Sequence, residues 1–283
     1  MADGGRVAVV TDSTSYLPVG LAERYGVRVV PVHVVLAGRE GSEGVDVSPA
    51  DVAAALASRA TVTTSRPSPA EVAAVYAEAA GAGAAAIVSV HLSGAMSATV
   101  ESARAAAADP AYDVRVVDSR TLCMGLGFAV LAAARAADEG SSVEEVARVA
   151  AETAAGTRTL FCVRTLDQLR RGGRIGAASA LLGNVLAVKP LLHVSGGEVA
   201  VLEKVRTSTR ALARLEELAV AAAAGGRVDM AVHHLAAPEA AADLAERLRG
   251  LIPTAGSVYV SEVGAVVGAH TGPGLLGVVV SPS

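Results

Sequence analysis

Short valine-rich runs alternate with longer alanine-rich runs over the first half of the chain, and this alternation constrains the fold most. "RVAVVTD" (residues 6–12) and "AAAIVSV" (residues 84–90) have the length and β-branched content of buried strands. "SPADVAAALASR" and "SPAEVAAVYAEAA" each begin with Ser and Pro and carry an acidic residue three positions after the serine, the signature of a capped helix N-terminus. Strands that alternate with helices in this way predict βαβ units around a mainly parallel sheet.

The pattern changes after about residue 157. "KPLLHVSGGEVAVLEKVRT" contains two strand-like runs joined at Ser195–Gly196–Gly197, which predicts a β-hairpin. Two predicted helices and three further strands follow. We therefore predict an α/β protein of two domains: an N-terminal parallel-sheet α/β/α domain over residues 1–156, and a C-terminal α+β domain with a mixed sheet over residues 157–283.

Composition excludes several classes of function. Apolar residues make up 52% of the 283 residues but aromatic residues only 2%, so the core is aliphatic and little is available for stacking on bases. With a net charge of −4 and no basic block, we expect no nucleic-acid partner. Cys123 and Cys162 lie far apart, and the histidines lack metal-ligand spacing, so we predict no metal, no cofactor and no disulfide. With neither a signal-peptide pattern nor a transmembrane segment in the sequence, we predict a cytoplasmic protein.

Two hydroxyl-rich stretches follow predicted strands, where ligands bind in parallel sheets. "TDSTS" (residues 11–15) ends the first strand and either contacts a ligand or caps a helix that begins near Leu17. In "TVTTSRPSP" (residues 61–69), Ser68 is accounted for as a helix cap, but Thr64 and its two hydroxyl neighbours are not. These hydroxyls are candidate ligand contacts.

Ser93 and Gly94 precede a helix predicted over residues 96–107. Free N–H groups and the positive end of the helix dipole favour an anion at such a position. The alternative is that Ser93 is simply the N-cap. Position 91 is His where a hydrolase nucleophile elbow requires Gly, which weakens a hydrolase interpretation.

Two further turns carry polar candidates. "LRRGGRIG" places Arg170, Arg171 and Arg174 around a glycine pair and can pair with a carboxylate or phosphate; the alternative is an ordinary solvated loop. "VVGAHTGPGLLG" places His270 among glycines, which predicts a tight loop that presents the imidazole to a small ligand. A plain reverse turn with an exposed histidine is the alternative.

Several separated motifs occur together in the order typical of the DegV family, which this chain resembles from about residue 7 to residue 278. The motifs are "VVTDSTSYLP", "TTSRPSP", "LSGAMSA", "VVDSRTLCMGLG", "TLDQLRRGGRIG", "LLGNVLAVKPLLHVSGGEV", "EKVRTSTRAL" and "VVGAHTGPGLLG". Two positions depart from the family pattern: Ala95 stands where Thr is usual, and Arg66 stands where Gln is usual.

The resemblance implies a bacterial fatty-acid-binding protein with two α/β domains, a buried acyl chain and no catalytic activity of its own. It implies that the bound fatty acid is presented to a fatty acid kinase, which makes an acyl phosphate for phospholipid synthesis. The residues implied to hold the carboxylate are Thr64, Ser93, Arg174 and His270. To these the helix N-terminus argument adds Gly94.

We therefore predict a protein that binds a long-chain fatty acid in an apolar pocket, with Arg170 and Arg171 left over to dock the kinase. One alternative is an enzyme: an acyl hydrolase that uses Ser93 with a histidine base, or a phosphotransferase that acts through His270. The hydrolase lacks the nucleophile elbow and the phosphotransferase lacks a nucleotide-binding loop. Another alternative is a binder of a different apolar acid.

Overall fold

Residues 5–176 and 189–283 are described by the structure, a computed structural model of the chain. The start of the motif "LLGNVLAVKPLLHVSGGEV" lies outside the described residues. The chain divides into two compact units. The first unit comprises Met1–His33 and Ser65–Ala155, and the second comprises Val34–Thr64 and Gly156–Ser283. This division differs from the predicted contiguous domains in the segment Val34–Thr64, which belongs to the second unit.

The described residues form strands and helices that we number in chain order. The strands are β1 (Val7–Asp12), β2 (Arg28–Val30), β3 (His33–Leu36), β4 (Arg39–Ser42), β5 (Val62–Ser65), β6 (Ala86–His91), β7 (Val114–Asp118), β8 (Arg158–Cys162), β9 (Lys189–Ser195), β10 (Glu198–Val205), β11 (Val228–His234), β12 (Ala255–Glu262) and β13 (Leu276–Pro282). The α-helices are α1 (Leu21–Arg24), α2 (Pro49–Ala57), α3 (Pro69–Gly81), α4 (Thr99–Ala106), α5 (Met124–Asp138), α6 (Val143–Gly156), α7 (Asp167–Arg171), α8 (Ser208–Ala222), α9 (Pro238–Leu251) and α10 (Ala265–Thr271).

The first unit is built on a parallel sheet with strand order β2-β1-β6-β7. Every residue of β1 and β6 is buried, because helices cover both faces of the sheet. Val9 and Val88 pack with α5 and α6 on one face, whereas Val10 and Ile87 pack with α3 and α4 on the other. The predicted three-layer α/β/α arrangement is confirmed.

The second unit contains a six-stranded mixed sheet with strand order β10-β9-β8-β13-β11-β12. All neighbours in this sheet are antiparallel except β11 and β12, which are parallel. The predicted hairpin is present as β9 and β10, which turn at Gly196 and Gly197. Leu215 of α8 and Leu244 of α9 pack against this sheet in an aliphatic core. The predicted α+β class with a mixed sheet is confirmed.

A three-stranded sheet, with strand order β4-β3-β5, adds to the second unit. The sequence run over residues 26–36 predicts a single strand, but Pro31 and Val32 divide it into β2 and β3, which pair in different sheets. Proline lacks the N–H group that a continuous strand would need there. Helix α2 follows β4 and packs against α10.

Helices α2 and α3 begin immediately after the two serines that the sequence predicts as N-caps. Ser48 and Ser68 each accept a hydrogen bond from the backbone of the acidic residue three positions on, and Asp51 and Glu71 return it. Both predicted capping boxes are therefore confirmed. Among the described helices, none has the length and apolar character needed to cross a bilayer.

Candidate functional site

His270 lies in the last turn of α10 and not in a loop, so the predicted loop is wrong at this point. Gly268 sits in the middle of the helix, where an added Cβ would lie 3.2 Å from Leu235. This glycine therefore permits close packing and does not break the helix. The expected turn comes later, at Gly272 and Gly274, which both have positive φ angles.

A buried carboxylate holds the start of the same helix. Glu43, which is 6% exposed, accepts a hydrogen bond of 2.7 Å from the backbone N–H of Val266. A negative charge at a helix N-terminus is favourable because it faces unpaired N–H groups. This contact joins two chain segments of the second unit and fixes the helix that carries His270.

Thr64 and His270 meet within the second unit. Thr64 lies on β5, and its Oγ1 is 2.9 Å from Nε2 of His270, across 206 residues of sequence. Either atom can donate, depending on the tautomer of the imidazole. Two of the residues implied to bind a carboxylate are thus brought into direct contact by the fold.

Burial sets the charge of His270. Burial, together with a smaller effect of the positive charge of Arg174, lowers the pKa of His270 to about 4. The imidazole is therefore neutral near pH 7 and carries one N–H group. Its Nδ1 atom is buried and has no hydrogen-bond partner among the residues that the structure describes. Such an atom has hydrogen-bonding capacity that a ligand can use.

Gly172 defines the wall beside that atom. A Cβ on Gly172 would lie 2.7 Å from Cε1 of His270 and closer still to Nδ1. Gly172 has a φ of −76°, so its backbone conformation is open to any residue. The glycine is therefore needed for space next to the imidazole.

The three candidate arginines lie at and beyond the end of α7, which packs against α10. Arg174 is exposed, and its guanidinium donates to the carbonyl oxygen of Gly172 at 2.7 Å. Arg170 and Arg171 form the exposed last turn of the helix, and Arg170 lies 3.9 Å from the carboxylate of Asp167. The segment that carries these three arginines and the Thr64–His270 pair thus belong to the same unit.

Ser93 and Gly94 belong to the first unit and do not lie at a helix N-terminus. Helix α4 begins at Thr99, so the prediction that Ser93 caps a helix from residue 96 is wrong. Ser93 is fully buried, and its carbonyl oxygen accepts from the N–H groups of Met96 and Ser97 at 3.0 Å each. A separate turn, which we call the Ser93 turn (residues 92–97), therefore precedes α4.

The backbone N–H groups of the Ser93 turn are already used. The N–H of Gly94 donates to Oδ1 of Asp118 at 3.1 Å, and that of Ala95 donates to Oγ of Ser93 at 3.3 Å. The expected anion site made of free N–H groups at Gly94 is therefore wrong, because a carboxylate side chain occupies that donor. A ligand role for Ser93 stays a prediction that concerns its side-chain hydroxyl.

Sequence reasoning missed a buried polar chain in the first unit. Nδ1 of His91 lies 3.0 Å from Oδ2 of Asp12, and Nε2 of His91 lies 2.7 Å from Oγ of Ser89. All three side chains have no exposed area. The order of groups resembles a hydrolase triad, but a substrate cannot reach a hydroxyl inside β6.

Asp12 was predicted, within "TDSTS", to contact a ligand or cap a helix near Leu17. The structure shows that it caps a short 3₁₀ turn over Ser13–Ser15 instead, accepting from the backbone N–H of Thr14 at 3.1 Å. Helix α1 begins only at Leu21. The sequence feature that could have predicted this cap is Asp12 itself, an acidic residue at the carboxyl end of the buried strand β1.

Comparisons with known proteins agree with this architecture. The model of the DegV family, described as a family of uncharacterised proteins, matches residues 6–283. The chain belongs to the DegV family. A DegV domain-containing protein of Streptomyces coelicolor is 55% identical over 275 residues, which cover 97% of this chain and 98% of that protein. Protein DegV of Bacillus subtilis is 36% identical, over 96% and 98% of the two chains.

Solved structures of DegV family proteins match the whole fold. A DegV family protein from Thermus thermophilus, described as fatty acid binding, has a TM-score of 0.93 and 36% identity, over 98% of this chain and 100% of that one. The DegV fatty acid binding protein of B. subtilis has a TM-score of 0.90 and 34% identity, over 99% and 100%. The family and fold predicted from the ordered motifs are confirmed.

Proposed function

We propose that this DegV family protein binds a long-chain fatty acid and presents its carboxylate to a fatty acid kinase. The observation that carries the proposal is the pair formed by Thr64 and His270, whose Nδ1 has an unused hydrogen-bonding position among the described residues. The fatty-acid descriptions of the Thermus and Bacillus relatives support the class of ligand.

The chemistry of the pair suits a carboxylate. Burying an anion is costly unless hydrogen-bond donors and opposite charge replace water. The Thr64–His270 pair keeps one donor for the ligand: the Thr64 hydroxyl when Nε2–H donates to Oγ1, or Nδ1–H when the hydroxyl donates to Nε2. Arg174 supplies the positive charge that also lowers the pKa of His270. We include the Ser93 hydroxyl as a further donor, and we assign Gly94 the role of shaping the Ser93 turn.

The alkyl chain provides the affinity in this proposal. Burying about 16 carbons at about 0.8 kcal/mol per methylene contributes roughly 12 kcal/mol before ordering costs. An aliphatic protein interior can supply that contribution without aromatic rings. The polar groups then decide which end of the ligand is recognised and where it is held.

For the kinase step, the protein surface near the carboxylate must be able to dock the kinase. A carboxylate oxygen forms a bond to the terminal phosphorus of the kinase's nucleotide, and the bond from that phosphorus to the nucleoside diphosphate breaks. Arg170 and Arg171 lie exposed on α7, which packs against the helix that carries His270. We propose that they dock an acidic surface of the kinase, mainly by accelerating encounter.

The first experiment tests the ligand. Purified protein, denatured and analysed by mass spectrometry, should release close to one equivalent of a fatty acid. After delipidation, palmitic acid should rebind. Protein that is empty and takes up no palmitic acid in titration would refute the proposal.

The second experiment tests the head-group residues. Thr64→Val removes the hydroxyl at nearly constant shape and should weaken palmitic acid binding by about 1–3 kcal/mol. Thr63→Val, an exposed threonine one position earlier on β5, is the matched control and should bind as wild type. Ser93→Ala should weaken binding in the same way. If Ser93→Ala instead keeps full affinity but abolishes hydrolysis of a palmitoyl ester, the hydrolase alternative is correct.

The third experiment tests docking. Arg170→Ala/Arg171→Ala should slow acyl-phosphate formation in a coupled kinase assay at low salt while palmitic acid affinity stays unchanged. Arg148→Ala, an exposed arginine of α6 in the first unit, serves as the control for a general loss of positive charge. Equal rates for wild type and the double variant at both low and moderate salt would remove the docking role.

A further inference from the structure

The three peptide units around Ser93 are each held by a different partner. The N–H of Leu92 donates to Oδ2 of Asp12 at 2.9 Å, and the N–H of Ser93 donates to the carbonyl oxygen of Thr121 at 2.9 Å. The N–H of Gly94 donates to Oδ1 of Asp118 at 3.1 Å. The carboxylates of Asp12 and Asp118 therefore accept hydrogen bonds from the residues immediately before and after Ser93.

Asp12 is itself fixed on every side. Its Oδ1 accepts from the hydroxyl of Thr14 at 2.6 Å, and its Oδ2 faces Nδ1 of His91 at 3.0 Å. His91 is held in turn by Ser89. A carboxylate with this many partners in a fully buried setting has a single orientation, so it acts as a rigid acceptor for Leu92.

Asp118 holds the turn from the other side and comes from the end of β7. Its Oδ1 also accepts from the N–H of Arg120 at 2.9 Å, and Arg120 has a φ of +53°. A left-handed conformation at a non-glycine residue is costly and persists only where surrounding contacts enforce it. A Cβ on Gly94 would lie 2.9 Å from Oδ2 of Asp118, so glycine at this position allows the carboxylate to approach.

We propose that Asp12 and Asp118 are positioning residues for fatty-acid binding, which fix the backbone N–H groups of Leu92 and Gly94, the residues on either side of Ser93, so that its hydroxyl keeps one orientation toward the lipid carboxylate. The inference rests on the proposed function of Ser93. Neither carboxylate contacts the lipid in this scheme, since two anions repel. Asp118 is useful as a hydrogen-bond acceptor and not for its charge.

This distinction defines the test at Asp118. Asp118→Ala removes the acceptor and should weaken palmitic acid binding to delipidated protein by about tenfold. Asp118→Asn keeps an oxygen acceptor without the charge and should restore affinity. Asp109→Ala is the matched control, because Asp109 accepts from the N–H of Ala111 at 2.9 Å in an exposed turn of the same unit and should leave affinity unchanged.

A double-mutant cycle separates positioning from a general structural effect. If Asp118 acts through Ser93, then Asp118→Ala should cause no further loss of affinity in a Ser93→Ala background. An equal loss in both backgrounds, or wild-type affinity in Asp118→Ala, would overturn the inference while the proposed function stands. Unchanged affinity in Ser93→Ala would overturn the inference together with the proposed role of Ser93.

A second variant guards against misfolding of Asp118→Ala. Gly94→Ala places a Cβ against Oδ2 of Asp118 and should displace the carboxylate while both hydrogen-bonding side chains are retained. Palmitic acid affinity should fall, again only when Ser93 is present. Wild-type affinity in a folded Gly94→Ala protein would contradict the positioning role.

Discussion

Gly172→Ala is expected to break the hydrogen bond between Thr64 and His270, although Gly172 is not itself part of that pair. The added Cβ would lie 2.7 Å from Cε1 of His270 and nearer to Nδ1, whereas ordinary contacts of a Cβ begin near 3.4 Å. The imidazole must therefore shift by about 1 Å, which would move Nε2 out of the position in which it lies 2.9 Å from Oγ1 of Thr64. We expect palmitic acid affinity to fall by about 1–3 kcal/mol, the cost of leaving a buried polar group unpaired.

The same substitution offers a second, opposite contribution to stability. Gly172, the residue after α7, has a φ that alanine adopts without strain, so alanine would by itself stabilise the protein by about 0.4–1 kcal/mol by restricting the unfolded chain. The free energy of unfolding should therefore drop by less than the loss of the hydrogen bond alone. Urea unfolding measures this change, and a titration with palmitic acid measures affinity.

Two controls make the reasoning refutable. Gly81→Ala, at the last residue of α3 with no atom within 4 Å of the new Cβ, should be neutral or stabilising. In a His270→Ala background the clash is removed, so adding Gly172→Ala should cost nothing further. Wild-type affinity in Gly172→Ala, or an equal loss with and without His270, would show that the glycine does not act through the imidazole.

Three more predictions follow from burial and local geometry. Burial lowers the pKa values of His233 and His270 to about 4, so only the unfolded chain takes up these protons between about pH 6.5 and pH 4. Each group should therefore lower the free energy of unfolding by about 3 kcal/mol as the pH falls through this range. Urea unfolding at several pH values measures this, and His233→Gln should make the pH dependence shallower. Gly127→Ala in α5 should destabilise the protein by about 1–3 kcal/mol, because the new Cβ would lie 2.8 Å from the carbonyl oxygen of Ser15; an unchanged melting temperature would contradict this close packing. Ser68→Ala should cost about 1 kcal/mol by removing the cap of α3, as measured by urea unfolding, and Ser68→Gly should cost less.

Features that depend on near neighbours could be predicted from the sequence. The capping boxes at Ser48 and Ser68 need only four consecutive residues, and both formed as predicted. The hairpin at Gly196 and Gly197 is equally local. The family and the overall fold class followed from ordered motifs along the whole chain, so errors at one motif did not change them.

Features that depend on distant partners could not be predicted in this way. The Ser93 turn delays α4 to Thr99 because Asp12 and Thr121, far away in sequence, bind its N–H groups. The helix at His270 contains a glycine that suggests a loop, yet its packing against Leu235 is what requires the missing side chain.

The pairing of Thr64 with His270 has a consequence for biosynthesis. The ribosome makes Thr64 long before its partner, and at about 5–20 residues per second the separation of 206 positions takes roughly 10–40 s. All four strands of the parallel sheet have been synthesised once the chain reaches Asp118, so that sheet can form early. The segment Val34–Thr64 belongs to the second unit, and the rest of that unit, Gly156–Ser283, is synthesised later. Nascent chains arrested before Ala265 should therefore protect β1 and β6 from proteolysis and leave residues 34–64 open to cleavage. The contact between Thr64 and His270 therefore forms only when the last strand is almost made, and until then the segment Val34–Thr64 has only its own strands β3, β4 and β5 to pair with.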